Sequence, residues 1–451
     1  MTGKPAYEPP VLIRHQTGLM NKLGRIAGAR PLTEIDGVSI AALVERFGSP
    51  LFVFSERTLV ARHRELREAL AVRLPGARLA WSYKTNSLDA ICRVMHREGS
   101  LAEVVSESEL DRALRLVPGP EVIFNGPFKP EGALEKAFRA GARVHLDHFD
   151  ELARAEAVAR RLAVRPRVAI RVHMALPGIP PWSRFGFNLE SGQALDAARR
   201  IGAGGVLQLA GLHAHIGTFV QELDAYRQEA RQLAGLANVL AREHGVLVDW
   251  IDLGGGFASR NALHSQYLPG EQVTPSFAQY AEAIAEGLAA LDLPGARAPT
   301  ILLETGRALV DEAGSLVATV HANKRLPDGR RGVILDTGVN SLFTAFWYRH
   351  DVLPAQEFSG TPEPTVLYGP LCMAIDVVRD QLLFPPLAPG DRVVVRNVGA
   401  YNVTQWMQFI TDRPAVAMIS RAGEVGLIRR RESLDALLAQ EEIPGWLGAG
   451  R

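Results

Sequence analysis

The sequence predicts an α/β chain with a closed (β/α)₈ barrel of TIM type, followed by a mainly antiparallel β-domain of sandwich or barrel type. Short apolar runs alternate with longer amphipathic ones eight times between Leu79 and Leu303. Strict alternation implies a parallel sheet, and eight repeats imply closure. After about Glu312 the long helical periods give way to β-branched runs cut by Pro, Gly and Asp. An open doubly wound sheet usually carries fewer strands and a glycine-rich turn after the first one, which is missing here.

In chain order, residues 1–50 read as a lead-in that contributes to the β-domain. They hold a short strand near Gly37–Ile40 and an amphipathic segment Ala41–Phe47 that stops at Gly48. Residues 51–311 read as the barrel, opening with the apolar run Leu51–Phe54 and a charged helix Glu56–Leu74. Its strands are expected at Leu79–Tyr83, Ala102–Val105, Val122–Phe124, Val144–Leu146, Val168–Val172, Gln208–His213, Val248–Leu253 and Thr300–Leu303. Helix-compatible segments lie between them: Ser106–Leu116, Glu131–Ala140, Phe149–Leu162, Gly192–Ile201, Glu222–Glu243 and Phe277–Leu291. The Pro-rich stretch Gly178–Trp182 is expected to be a rigid barrel loop. Residues 312–451 read as the β-domain, with strands at Ser315–His321, Gly332–Asp336, Thr365–Tyr368, Arg392–Val398 and Val416–Ile419 and a late helix Glu432–Gln440.

Composition narrows the classes of function. Fifty basic residues stand against 49 acidic ones, a formal net charge of +1, so neither nucleic acid nor an anionic membrane surface is expected as a partner. The two cysteines, Cys92 and Cys372, are too few for a disulfide framework or a cysteine zinc site and suit a reducing cytoplasm. No apolar stretch has signal-peptide or membrane-spanning length, and a cytoplasmic enzyme is expected.

The unusual polar residues fall just past strand C-termini, the end where this fold places its chemistry. Lys84 follows the first barrel strand, Asn125 the third, His213 and His215 the sixth, Gly254-Gly255-Gly256 the seventh and Glu304-Thr305-Gly306-Arg307 the eighth. Taken alone, a lysine there reads first as a solvated loop residue, and His215 can be read as a hydrogen-bonded core imidazole. His213-Ala214-His215 has metal-like spacing, but no carboxylate or cysteine flanks it in sequence, so no metal site is expected. Three bare glycines let backbone N–H groups approach a phosphate, and Arg307 would add a charge-assisted partner. A phosphate site, an isolated lysine and the Glu304 carboxylate on one rim point to pyridoxal 5'-phosphate. The lysine would hold it, and the carboxylate would keep the ring nitrogen protonated.

Six motifs occur in an order that resembles the fold type III pyridoxal-phosphate decarboxylases, the alanine-racemase-like family of diaminopimelate, ornithine and arginine decarboxylases. They are Tyr83-Lys84-Thr85-Asn86, His215-Ile216-Gly217-Thr218, the three glycines, Glu304 to Arg307, Gly369-Pro370-Leu371-Cys372 and Gly399-Ala400-Tyr401. The resemblance implies that Lys84 carries the cofactor and that His215 stacks on its ring. It implies that Glu304 pairs with the ring nitrogen and that Gly254, Gly255, Gly256, Gly306, Arg307 and Tyr401 contact the cofactor. Glu103 stands where many relatives have aspartate near the lysine. Cys372 resembles the residue that reaches across a head-to-tail homodimer to reprotonate the substrate carbon.

Departures from the family pattern bear on substrate. Diaminopimelate decarboxylases continue past the cysteine with Glu-Ser-Gly-Asp, whereas this chain reads Cys372-Met373-Ala374-Ile375-Asp376, and Met373 cannot pair with a distal ammonium. Ornithine decarboxylases have a Tyr-Asp segment where this chain has Tyr348-Arg349-His350. The family's carboxylate-binding arginine is also missing from Asn340–Trp347. The expected activity is α-decarboxylation of a modified or conjugated amino acid, free or carrier-bound, in specialised biosynthesis of siderophore type. Arg349, Met373 and Tyr401 are the expected substrate contacts, and Arg349, with His350 beside it, suggests an acidic or amide-bearing tail. A racemase or epimerase on the same fold is disfavoured by Glu304, since racemases of this superfamily place arginine there. A non-catalytic regulatory relative is disfavoured by the intact Lys84, Glu304, Arg307 and Cys372.

Overall fold

The structure, a computed structural model, describes residues 30–293, 295 and 298–447; the rest of the expected lead-in and of the C-terminal end lies outside the described residues. A small hairpin, β1 (Glu34–Ile35) and β2 (Val38–Ser39), leads into a helix over Ile40–Phe47 that Ser39 caps and Gly48 ends at φ 78°. Next comes β3 (Leu51–Ser55), buried on both faces. Phe52 and Phe54 join the main core, while Leu51 and Val53 pack with Ile40 and Leu43, as the two-residue period of a strand requires.

The barrel strands are β4 (Arg78–Ser82), β5 (Leu101–Val104), β6 (Val122–Phe124), β7 (Arg143–Leu146) and β8 (Arg167–His173). A two-residue strand, β9 (Phe187–Asn188), extends β8, and β10 (Gln208–His213), β11 (Trp250–Asp252) and β12 (Thr300–Leu303) complete the ring. Neighbours pair in parallel, and β10 also pairs with β8, which closes an eight-stranded barrel. The crossover helices follow their apolar stripes. Phe149–Leu162 buries Leu152, Ala155, Val158 and Ala159, His148 caps it by accepting the Glu151 N–H at 3.2 Å, and Ala163 at φ 54° ends it.

Inside the barrel, inward-facing side chains form layers. Ala80, Leu101, Ile123, Ala169, Ala210, Trp250 and Leu302 make one apolar layer. Two residues further along the same strands, toward their C-terminal ends, stand Ser82, Glu103, Asn125, Arg171, Asp252 and Glu304. The interior thus turns from apolar to ionisable within one two-residue step.

The second sheet is built around β13 (Gly314–Arg325), whose first half pairs with β3 and whose second half pairs with β14 (Arg331–Leu335). Its other strands are β15 (Val352–Pro354), β16 (Glu363–Tyr368), β17 (Val377–Phe384), β18 (Arg392–Arg396), β19 (Ala415–Ile419) and β20 (Val425–Arg429). Pairing is antiparallel except at β14–β16 and β3–β19. Leu51–Ser55 therefore sits in the second sheet, not in the barrel with which the sequence reading grouped it, and barrel structure starts at the helix Glu56–Arg73. An apolar run bounded by Pro50 and Glu56 carries no local sign of which sheet it will join. Among the described residues no helix is long and apolar enough to cross a membrane.

Candidate active site

The C-terminal rim of the barrel and the facing loops of the β-domain enclose a cavity of about 540 Å³. Lys84, two residues past β4, points into it with 35% of its side chain exposed and donates to Glu103 Oε2 at 2.7 Å. Burial alone would lower the lysine pKa; the Glu103 and Glu304 carboxylates outweigh that and hold the ammonium above its ordinary value. Asn125 bridges the two acids, donating to Glu103 Oε1 at 3.1 Å and to Glu304 Oε1.

His213 Nε2 lies 3.6 Å from Glu304 Oε2, and the His145 ring sits 4.8 Å from that of His213 while its Nε2 accepts the Trp250 indole N–H at 3.3 Å. The histidine pair seen in sequence therefore divides: His213 joins His145 and Glu304, whose ligand-type atoms lie within 4.8 Å of one another, and His215 faces elsewhere. Burial pushes the pKa of all three imidazoles well below the usual value, so they stand neutral. His215 Nδ1 accepts the Gly255 N–H at 3.0 Å, and Trp182 meets its ring edge-on at 5.6 Å.

The three glycines lie directly behind this wall. A Cβ on Gly255 would stand 2.3 Å from Glu304 O, and one on Gly254 would stand 2.6 Å from Ala214 O; Gly254 (φ 59°) and Gly256 (φ 95°) also need the left-handed region. Gly306 is equally confined, with Thr85 Oγ1 2.1 Å from where its Cβ would be. Arg307 Nε and Nη1 are buried without a hydrogen-bond partner, and its guanidinium lies 4.7 Å from the Tyr401 ring centroid. Arg307 Nη1 also lies 3.7 Å from Asp311 Oδ2, and the Gly254 and Gly255 N–H groups donate to Asp252 Oδ1 and His215 Nδ1. A buried guanidinium with donors to spare beside a close-packed glycine run, with a carboxylate and a lysine on the same rim, fits a phosphorylated cofactor such as pyridoxal phosphate. From the β-domain, Tyr401 N–H donates to Thr85 O and Thr404 Oγ1 to Lys84 O, both at 2.8 Å, so that loop is fastened across the lysine's strand end.

Besides the glycines, which stand behind the wall, Cys372, Met373 and Arg349 are not in it. Cys372 is exposed in the β16–β17 turn and Met373 is half-buried beside it; neither lines the cavity of its own chain. Asp376 anchors their turn, accepting the Val339 N–H at 2.8 Å and the Leu371 N–H at 2.7 Å. Arg349, expected to touch substrate, lines a separate cavity of about 590 Å³ that it shares with Arg379 and Asp351. Its neighbour Tyr348 is buried against Phe219 with ring centroids 5.0 Å apart, and consecutive residues of extended chain face opposite sides. In place of Arg349 the wall holds Arg171, Trp182, Phe185, Thr344, Trp347 and Gln405. Arg171, like the buried His145 and Asp252 beneath the cavity, left one sign in the sequence: an ionisable residue embedded in an otherwise apolar strand.

Residues 56–311 match the family described as pyridoxal-dependent decarboxylase, pyridoxal binding domain, and the chain belongs to it. It is 32% identical to a diaminopimelate decarboxylase of Actinosynnema pretiosum subsp. auranticum, covering 98% of this chain and 97% of that one. It is 28% identical to that of Methanocaldococcus jannaschii, covering 91% and 95%. The crystal structure of the M. jannaschii enzyme with L-lysine matches at a TM-score of 0.83 and 27% identity, over 92% of this chain and 96% of that chain. The protein is a pyridoxal-phosphate-dependent amino-acid decarboxylase.

Proposed function

We propose that this decarboxylase acts in the cytoplasm on a modified or conjugated amino acid of specialised biosynthesis, not on ornithine or diaminopimelate. The observation that carries the reading is the lining of the cavity: its charged residues are Lys84, Glu103, Arg171, Glu304 and Arg307, all from the barrel. Glu103 holds Lys84 and Asn125, Glu304 takes Asn125, and Arg171 pairs with Asp147 at 3.5 Å. No carboxylate of this wall is left for a distal ammonium, and the β-domain side offers Thr344, Trp347, Tyr348, Tyr401 and Gln405. Met373 removes the acid that the cysteine turn of a second copy would bring. With Arg349 outside the cavity, the tail that fits is bulky and weakly polar, not acidic.

Bound pyridoxal phosphate supplies the electron sink that lets the α-carboxylate leave as carbon dioxide. Lys84 Nζ would hold the cofactor, and Glu103, which accepts from that nitrogen at 2.7 Å, would orient it. Glu304 would pair with the ring nitrogen, Arg307 and the glycine run would hold the phosphate, and His215 would flank the ring. Tyr401 closes the β-domain side. Cys372 completes the site of a second copy of the chain in a homodimer, handing its Sγ proton to the substrate α-carbon.

Diaminopimelate itself is the second reading, favoured by the similarity to the A. pretiosum and M. jannaschii enzymes. Carbon dioxide release from ornithine, lysine, arginine and diaminopimelate decides: weak turnover of all four is expected, and efficient turnover of any one ends the first reading. Mixing K84A with C372A protein is expected to restore activity that neither variant has alone; no recovery would refute the shared site.

A further inference from the structure

Asp252, at the end of β11, is buried beneath the cavity without lining it and has no part in the chemistry above. It is fully buried. Its Oδ1 accepts the Gly254 N–H at 2.9 Å, while Oδ2 is buried with no donor facing it. The group it meets is the Glu304 carboxyl: Asp252 pairs with Leu302 of the adjacent strand, and Glu304 follows Leu302 by two residues on the same inward face. Two carboxylate oxygens facing one another in a dry interior are both acceptors, and only a proton between them satisfies the pair.

We infer that Asp252 is a positioning residue that keeps its proton and donates it in a hydrogen bond to Glu304, fixing that carboxylate, and its single negative charge, for the cofactor's ring nitrogen. The inference rests on the assignment of Glu304 to that nitrogen. Every group around Asp252 fits. His213 on β10 and His145 on β7 are held neutral by burial, so neither supplies a cation that would let both acids ionise. Burial, then the Glu304 charge, holds the Asp252 carboxyl well above the usual carboxylate range, and Glu103 on β5 adds to the effect. The nearest cations are committed elsewhere: Lys84 to Glu103, Arg171 to Asp147, and Arg143, at the start of β7, to Pro120 O. Asn125 already donates to Glu304 Oε1, and His213 Nε2 stands 3.6 Å from Oε2, so a proton from Asp252 would add to an existing hold on the carboxylate.

Asparagine mimics a protonated aspartate here, since its amide N–H₂ can donate to Glu304 while its oxygen accepts from Gly254. Leucine of similar size cannot. The test measures, for D252N, D252L and E304Q, the cofactor dissociation constant, the visible band of the bound cofactor across pH 6–9 and the melting of the cofactor-free protein. D252N is expected to keep the wild-type band and an affinity within about threefold of wild type, whereas D252L loses about tenfold or more and gains a pH-dependent band. D252N as impaired as D252L would show that Asp252 works as an anion and would overturn the inference. D252L that binds and absorbs like wild type would overturn it as well. If E304Q keeps the wild-type band, the ring-nitrogen assignment itself fails; a shifted E304Q band beside an inert D252L removes only the role of Asp252. The melting curves separate a misfolded D252L from an informative one, and D252N keeps the inference exposed in either case.

Discussion

The two halves that close the cavity differ in kind. The barrel rim contributes every charged side chain of the wall, and the β-domain contributes hydroxyl, aromatic and amide groups. Charge is needed where the cofactor is held, because a phosphate, a ring nitrogen and an amine each need a partner of opposite sign in a dry site. Strand ends can supply it because eight parallel strands aim their last inward residues at one point. The β-domain reaches in by loops, and what it presents decides which substrate tail fits.

The largest effect that would break this division comes from Lys84. K84A is expected to lower kcat/KM by at least about a thousandfold and to abolish the visible cofactor band, since the wall holds no second lysine. Retention of both would place the cofactor outside the barrel rim. Next is the cradle. G255A forces a Cβ to 2.3 Å from the Glu304 carbonyl, where only backbone movement can make room. Cofactor binding should weaken by roughly tenfold or more while the global fold persists. Equilibrium dialysis against the cofactor checks it; an unchanged affinity would detach the glycine run from phosphate binding.

How much of this could be read beforehand follows from the same division. Lys84, His215, Glu304 and Arg307 were legible because each breaks an apolar run at a strand's C-terminal end, and strand ends are placed by local topology. His145, Asp252 and Arg171 were missed because parallel strands are buried on both faces, so no alternation marks which residues point inward. A lone His, Asp or Arg inside Val-His-Leu, Ile-Asp-Leu or Ile-Arg-Val was nevertheless a usable sign. In the β-domain, β17 escaped notice because Val377–Phe384 mixes exposed and buried positions without period, and the apolar run of β3 was assigned to the wrong sheet because its partners lie more than 250 residues away. Cys372 and Met373 could be recognised only by resemblance, as nothing in their own chain brings them to the wall.

A smaller effect tests the β-domain wall through pH. His350 is buried, its Nε2 bonded to Thr344 Oγ1 at 2.8 Å, and burial followed by Arg307 and Arg379 pushes its pKa down to about 3 from 6.5. The folded value lies below the unfolded one, so the unfolded chain takes up a proton first. Stability present above pH 6.5 is lost as pH falls toward 3, by at most about 1.4 kcal/mol per unit. His63, pushed down to about 4 by burial, adds to the loss. H350Q, neutral throughout, is expected to melt less acid-sensitively than wild type between pH 6.5 and 5; equal sensitivity would mean that His350 is already charged in the fold.

The smallest expected effect is also the sharpest test of what the β-domain contributes. Arg349 is the one strong cation in the segment beside Tyr348, and by sequence position it is the obvious anchor for an acidic tail. Its backbone is tied to Ala262 O at 2.8 Å, and its side chain lines the cavity that holds Arg379, where the two like charges lower the Arg379 pKa after burial. R349A therefore removes a repulsion outside the active cavity and should change kcat/KM by less than about threefold for any substrate that the enzyme accepts. Thr344 and Trp347, which face the cavity, should behave oppositely: W347A is expected to change the ranking of substrates while the cofactor band stays fixed. A loss of more than about tenfold in R349A, in KM alone, would bring an acidic tail back into the cavity and with it a charged β-domain wall.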